Sequence, residues 1–81
     1  MGTKQLIVDV RTTEEWEMDG HAEGTVNYPL GEFASYIDEI KKHESIVLVC
    51  RSGGRAEVAK GMLLQAGIKN VINKGAWQNV L

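Results

Sequence analysis

Four consecutive aliphatic residues, Ile46-Val47-Leu48-Val49, set the strongest limit on what this chain can fold into. The run is too short for a buried helix and shows no alternation between faces, so it is the clearest strand of the sequence. Leu6-Ile7-Val8-Asp9-Val10 is β-branched and mostly apolar, the pattern of a strand covered on both faces. Between the two runs, Thr12 and Glu15 have the spacing of a capping box, which predicts a short helix over 14–18 with Gly20 at its end. Thr25-Val26-Asn27-Tyr28 reads as another strand, closed by Pro29, which cannot continue a ladder. Phe33, Tyr36, Ile37 and Ile40 then fall at helical spacing, with Glu32, Asp38, Glu39, Lys41 and Lys42 on the opposite face.

After the aliphatic run, Val58, Ala59, Met62, Leu63 and Ala66 mark one face of a helix, and Gly67 is placed to cap it. Asn70-Val71-Ile72-Asn73 is a last strand, followed by a loop and a short tail from Trp77 to Leu81. Strands alternating with helices imply right-handed crossovers and a mostly parallel sheet. The predicted class is therefore α/β: a layer sandwich with four to five short strands flanked by helices, a single domain over 1–81.

Composition removes several functions. Leu, Ile, Val and Phe make up 21 of the 81 residues, above the roughly 20 % below which chains stay disordered. Nine Lys+Arg against eleven Asp+Glu give a net charge of −2, whereas a nucleic-acid binder of this size is usually basic. The longest apolar run, Ile46 to Cys50, is far short of the roughly 20 residues of a membrane helix. No signal peptide is visible, because Asp9 interrupts the first apolar segment. The chain as given is expected in the cytoplasm, or in the periplasm if a leader has been removed. A single cysteine excludes an internal disulfide and Cys-rich zinc sites, and His21 and His43 lack paired metal-ligand spacing. The expected partners thus include neither nucleic acid nor membrane, and the expected state is a monomer.

Chemistry concentrates where the clearest strand ends. In open α/β sheets, ligands bind beyond the carboxyl ends of strands, and Cys50-Arg51-Ser52-Gly53-Gly54-Arg55 occupies that place. Gly53 and Gly54 let the backbone turn tightly enough for successive N–H groups to converge. With the positive end of the following helix and the guanidinium groups of Arg51 and Arg55, such a loop is an anion cradle. A thiol at its rim ionises more easily, because the thiolate is the form the cradle stabilises. Free cysteines are commonly buried and inert, but two glycines and two arginines are poor core material, and the loop points to catalysis or anion binding.

Cys50-Arg51-Ser52-Gly53-Gly54-Arg55-Ala56 resembles the active-site loop of the rhodanese sulfurtransferase family. Asp9-Val10-Arg11 resembles the family's first signature, and Gly20-His21 through Gly24 with Asn27-Tyr28-Pro29 its Gly-His-x-x-Gly…Asn-x-Pro stretch. Ala66-Gly67-Ile68 with Val71, Gly75 and Trp77 resembles the closing segment. The chain is similar in particular to small single-domain members of the phage-shock-protein E type. The resemblance implies a rhodanese-like layer sandwich and a thiosulfate sulfurtransferase with Cys50 as nucleophile and persulfide carrier. It implies a small anionic sulfur donor, a cyanide or thiol acceptor, and no metal or organic cofactor. Arg51, Ser52, Gly53, Gly54 and Arg55 then form the substrate-binding loop, whose amides from Arg51 to Arg55 cradle the terminal sulfur. Both arginines attract the donor, and Arg55 also braces the loop.

A second reading from another class is a non-enzymatic persulfide carrier or regulatory module. A third, phosphatase or arsenate reductase, fits less well, because those Cys-x5-Arg loops need arginine at the position held by Ala56. The chain departs from the family pattern at Ser52, where some thiosulfate-using members carry a cation, at Glu23 and Thr25, and at Lys74-Gly75-Ala76, where Gly-Gly is common.

Other polar residues divide between framework and site. Asp9 reads as a paired structural carboxylate, whereas Arg11 reads equally as a substrate ligand and as part of that network. His21 is expected to fix its loop, and His43 to be solvated in a polar turn. Trp16 and Trp77 read as packing residues, with Trp77 a candidate for the pocket border. Glu14, Glu15, Glu17 and Asp19 read as a solvated helix face, with docking of a basic partner as the lesser alternative.

Overall fold

The computed structural model describes residues 5–81. Strands β1 (Gln5–Asp9), β2 (Thr25–Asn27), β3 (Ser45–Cys50) and β4 (Val71–Ala76) form one sheet in the order β2-β1-β3-β4. Every neighbouring pair is parallel. Helices α1 (Thr13–Met18), α2 (Ile37–Ile40) and α3 (Gly54–Gln65) fill the connections. The chain thus has the four-stranded α/β architecture that its alternating pattern predicts.

The order places the two aliphatic runs side by side at the centre, where covering both faces buries the most apolar area. On one face, Leu6, Val8 and Val10 of the first run and Ile46, Leu48 and Cys50 of β3 pack with Phe33, Ile40, Ala56, Ala59 and Leu63. Val47 and Val49 point the other way and are also buried. β3 therefore has no exposed side, and its carboxyl end is held from both faces. Leaving β1 the chain goes to one side of the sheet, and leaving β3 to the other, so the crevice between their carboxyl ends is the topological switch point where such sheets bind ligands.

The helix after β1 is set locally. Thr12 Oγ1 accepts from the Glu15 N–H at 3.2 Å, and Glu15 Oε1 accepts from the Thr12 N–H at 3.0 Å. This is the capping box read from the sequence. The segment from Phe33 to Ile40 differs from expectation. It is a 3₁₀ stretch over Leu30–Tyr36 followed by a single turn of α-helix, Ile37–Ile40. Two periods fit the same spacing over so few residues, and burying both Phe33 and Ile40 decides between them.

β4 also outruns its expected end at Asn73. Pairing continues to Ala76 through a register shift opposite Leu48 and Val49, with Asn73 facing Leu48 and Gly75 facing Val49. Lys74 is the extra residue of this bulge, and Gly75 takes φ +81. The tail Trp77–Val80 is a further 3₁₀ turn. None of the described helices is long and apolar enough to cross a membrane.

Candidate active site

Only Arg51, Ser52 and Gly53 separate the end of β3 at Cys50 from the start of α3 at Gly54. So short a link must reverse the backbone within one residue, and Gly53 does it with φ +104. That region is open to glycine and strained for any other L-residue. Space is limiting as well, since a Cβ on Gly53 would lie 3.2 Å from the Gly75 Cα.

The reversal turns the Gly53 N–H back on the thiol, donating to Cys50 Sγ at 2.8 Å. Burial by itself pushes the Cys50 thiol up. The backbone N–H groups of Ala56, Gly53, Ser52 and Arg55 oppose it, and together they hold the thiol below its ordinary range. The resemblance implies a cradle of amides from Arg51 to Arg55. The structure aims the Gly53 N–H at the sulfur, and the N–H groups of Ser52, Arg55 and Ala56, the last two in the first turn of α3, add to the lowering of the thiol. Cys50 as a residue is 1 % exposed, while Arg51 and Ser52 stand in solvent.

The two loop arginines have different surroundings. Arg55 grips Glu15 with two parallel bonds, Nη1 to Oε1 at 2.7 Å and Nη2 to Oε2 at 3.0 Å. This pair ties α3 to α1, and with the Thr12 contacts it lowers the Glu15 carboxyl to about 2. Glu15 is therefore not merely one of a solvated acidic row. The brace expected of Arg55 is present, but its charge is matched by a carboxylate. Arg51 is exposed, with no ion pair among the described residues.

Arg11, which reads equally as a substrate ligand and as part of a paired network, is buried at 1 % exposure. Its Nε bonds both Asp9 carboxylate oxygens at 2.9 Å, and its Nη2 bonds Asp9 Oδ2 at 2.7 Å and the Gly20 carbonyl at 2.8 Å. Trp77 lies across the guanidinium, 4.7 Å from ring centroid to Cζ. With its donors directed at Asp9 and Gly20, Arg11 is framework rather than open face. His21 donates from Nδ1 to the Trp16 carbonyl at 2.9 Å and stacks on the Trp16 ring at 3.7 Å, fixing its loop. His43 is half-buried rather than solvated, and its Nδ1 has no hydrogen-bond partner among the described residues.

Two residues of the framework escape a reading by composition and spacing. Asn27 donates to the Asp9 and Arg11 carbonyls at 3.1 and 2.9 Å, clamping the chain where it leaves β1. Asn73 donates to the Gly53 carbonyl at 3.0 Å. The usable signal was asparagine inside a strand, where it is depleted unless its side chain has a task.

No group of three His, Cys, Asp or Glu among the described residues could hold a metal ion. With the Gly53 N–H on Cys50 Sγ and the thiol held below its ordinary range, the site can do thiolate chemistry with an anion held by main-chain dipoles.

Residues 1–80 match the family described as Rhodanese-like domain. The Bacillus subtilis protein YrkF, whose name marks it as a proposed sulfur carrier, is 40 % identical over 67 residues, 83 % of this chain and 36 % of its own. Thiosulfate sulfurtransferase 16, chloroplastic, of Arabidopsis thaliana is 33 % identical over 79 % of this chain and 62 % of its own. The chain thus spans between about a third and two thirds of the curated relatives it matches. A solved structure of a rhodanese with anions from E. coli superposes with a TM-score of 0.83 at 27 % identity, covering 94 % of this chain and 91 % of the other.

Proposed function

This chain belongs to the rhodanese-like domain family, and on that premise we propose that it moves a sulfane sulfur from thiosulfate to a thiophilic acceptor through a Cys50 persulfide. The observation that carries the reading is the Gly53 N–H turned onto Cys50 Sγ at 2.8 Å, beside a thiol that the loop's backbone N–H groups hold below its ordinary range. The Cys50 thiolate attacks the outer sulfur of thiosulfate. A new S–S bond forms, the old one breaks, and sulfite leaves with its electron pair. Cyanide or an acceptor thiolate then attacks the outer sulfur of the persulfide. The Cys50–S bond breaks, and the pair returns to Cys50 as thiolate, leaving thiocyanate or an acceptor persulfide. In both half-reactions negative charge sits on sulfur at the loop, where fixed dipoles lower its energy without reorganising.

Because Cys50 is 1 % exposed, approach is from the loop side, past Arg51 and Ser52, which favours a small donor over a bulky one. Ala56 is fully buried, so no arginine can occupy the position that a phosphatase loop requires. That argues against phosphatase or arsenate-reductase chemistry.

A persulfide carrier with little turnover of its own is the second reading, and one observation favours it. Arg55 is neutralised by Glu15, which leaves Arg51 as the exposed cation of the loop to attract a dianion.

Intact mass after thiosulfate treatment tests the covalent step. A gain of one sulfur atom, about 32 Da, lost on adding cyanide and absent in Cys50→Ser, supports it; no gain sinks it. Steady thiocyanate production then separates an enzyme from a carrier, which loads once and stops.

A further inference from the structure

Gly53 stands at the amino end of α3 with no side chain to cap it. Its conformation must therefore be held from elsewhere. Its carbonyl accepts twice, from the Glu57 N–H at 2.9 Å as the first bond of the helix and from Asn73 Nδ2 at 3.0 Å. The carboxamide of Asn73 is itself oriented, because its Oδ1 accepts from the Gly75 N–H at 2.8 Å. That contact makes Nδ2 the donor, and Nδ2 also reaches Glu57 Oε1 at 3.0 Å. Asn73 is the last residue before the β4 bulge, and the bulge brings the Gly75 Cα against Gly53. One side chain therefore ties together the bulge, the left-handed glycine and the first turn of α3.

We infer that Asn73 is a positioning residue for Cys50: its carboxamide, fixed by Gly75, holds the Gly53 carbonyl and thereby keeps the Gly53 N–H aimed at the sulfur. The reversal itself turns on Gly53, which has no side chain to restrain it. A glycine backbone left free samples many conformations, and a donor that wanders off axis loses its bond, which weakens steeply with angle. With Asn73 removed, the thiolate loses part of its stabilisation although every donor of the cradle is still present in the chain.

The inference rests on the function proposed above only where sulfur transfer is concerned; its first readout is independent of it. Asn73→Asp keeps an acceptor for the Gly75 N–H but cannot donate to Gly53. Asn73→Ser also keeps an acceptor and is too short to reach Gly53. The thiol is titrated by ultraviolet thiolate absorbance, taken as the difference between each protein and the same protein carrying Cys50→Ser. Both Asn73 variants should titrate at higher pH than the parent. On the rising limb of the parent curve their thiolate fraction should fall about threefold or more, a part of one charge-assisted hydrogen bond. Sulfur loading at that pH should slow in parallel. Ile40→Val, a trimmed core residue whose side chain takes no part in the hydrogen bonds of Asn73, Gly75 and Gly53, should leave the titration where it was even at equal loss of melting temperature.

Parent-like titration in either folded Asn73 variant overturns the inference, and so does an equal shift in Ile40→Val. If the parent takes no sulfur from thiosulfate, the functional reading fails alone, and the titration still judges Asn73.

Discussion

Gly53→Ala is the sharpest perturbation of the cradle, because it changes one methyl group at the point where the backbone reverses. Its φ of +104 costs an L-residue about 1–2 kcal/mol in strain. The added Cβ would sit 3.2 Å from the Gly75 Cα, a backbone atom that cannot rotate away. The loop must move by a few tenths of an ångström at least, and the part that moves carries the N–H now 2.8 Å from Cys50 Sγ. A hydrogen bond to a charged acceptor contributes about 1.5–3 kcal/mol. Losing it should slow sulfur loading by about 10- to 100-fold at a pH where the parent thiol is ionised. Global stability should fall by only the strain, about 1–2 kcal/mol. The assay is single-turnover loading from thiosulfate followed by intact mass, with urea unfolding on the same samples. A folded Gly53→Ala protein that loads at the parent rate would refute the argument that this glycine aims a donor at the sulfur.

Arg11→Ala should destabilise the fold by about 3–5 kcal/mol in urea unfolding, because it strands the buried Asp9 carboxylate; a loss near zero would return Arg11 to the open face. Glu15 is held at about 2, below its unfolded value of 4.5, so its stabilising contribution is complete above pH 4.5 and is lost as pH falls toward 2. Glu15→Gln should flatten that stretch of the stability–pH curve, and an unchanged acid limb would show that the pair with Arg55 does not persist in solution. Arg51→Ala should raise KM for thiosulfate severalfold and leave the melting temperature within a degree or two, as expected of an exposed cation; unchanged KM would remove Arg51 from the donor's path.

The legible part of this protein was local. The aliphatic runs, the capping box of Thr12 and Glu15 and the loop after Cys50 each act over a few residues, and each was found where the pattern put it. The misread parts were those in which two local geometries fit equally well. Leu30 to Ile40 carried a helical spacing that a 3₁₀ stretch also satisfies. Lys74-Gly75-Ala76 looked like a loop because a bulge needs a glycine just as a turn does.

The sequence by itself determined that a thiol would end a buried strand inside a glycine-rich reversal, since strand, turn and helix start follow from neighbouring residues. Only the tertiary structure decided which partner each polar side chain would take. Arg55 finds Glu15 forty positions away, Asn73 finds Gly53 across twenty, and Arg11 is closed over by Trp77. Those meetings depend on strand order and on a single register shift in β4, both set by how the whole core packs, and no window of neighbouring residues contains that information.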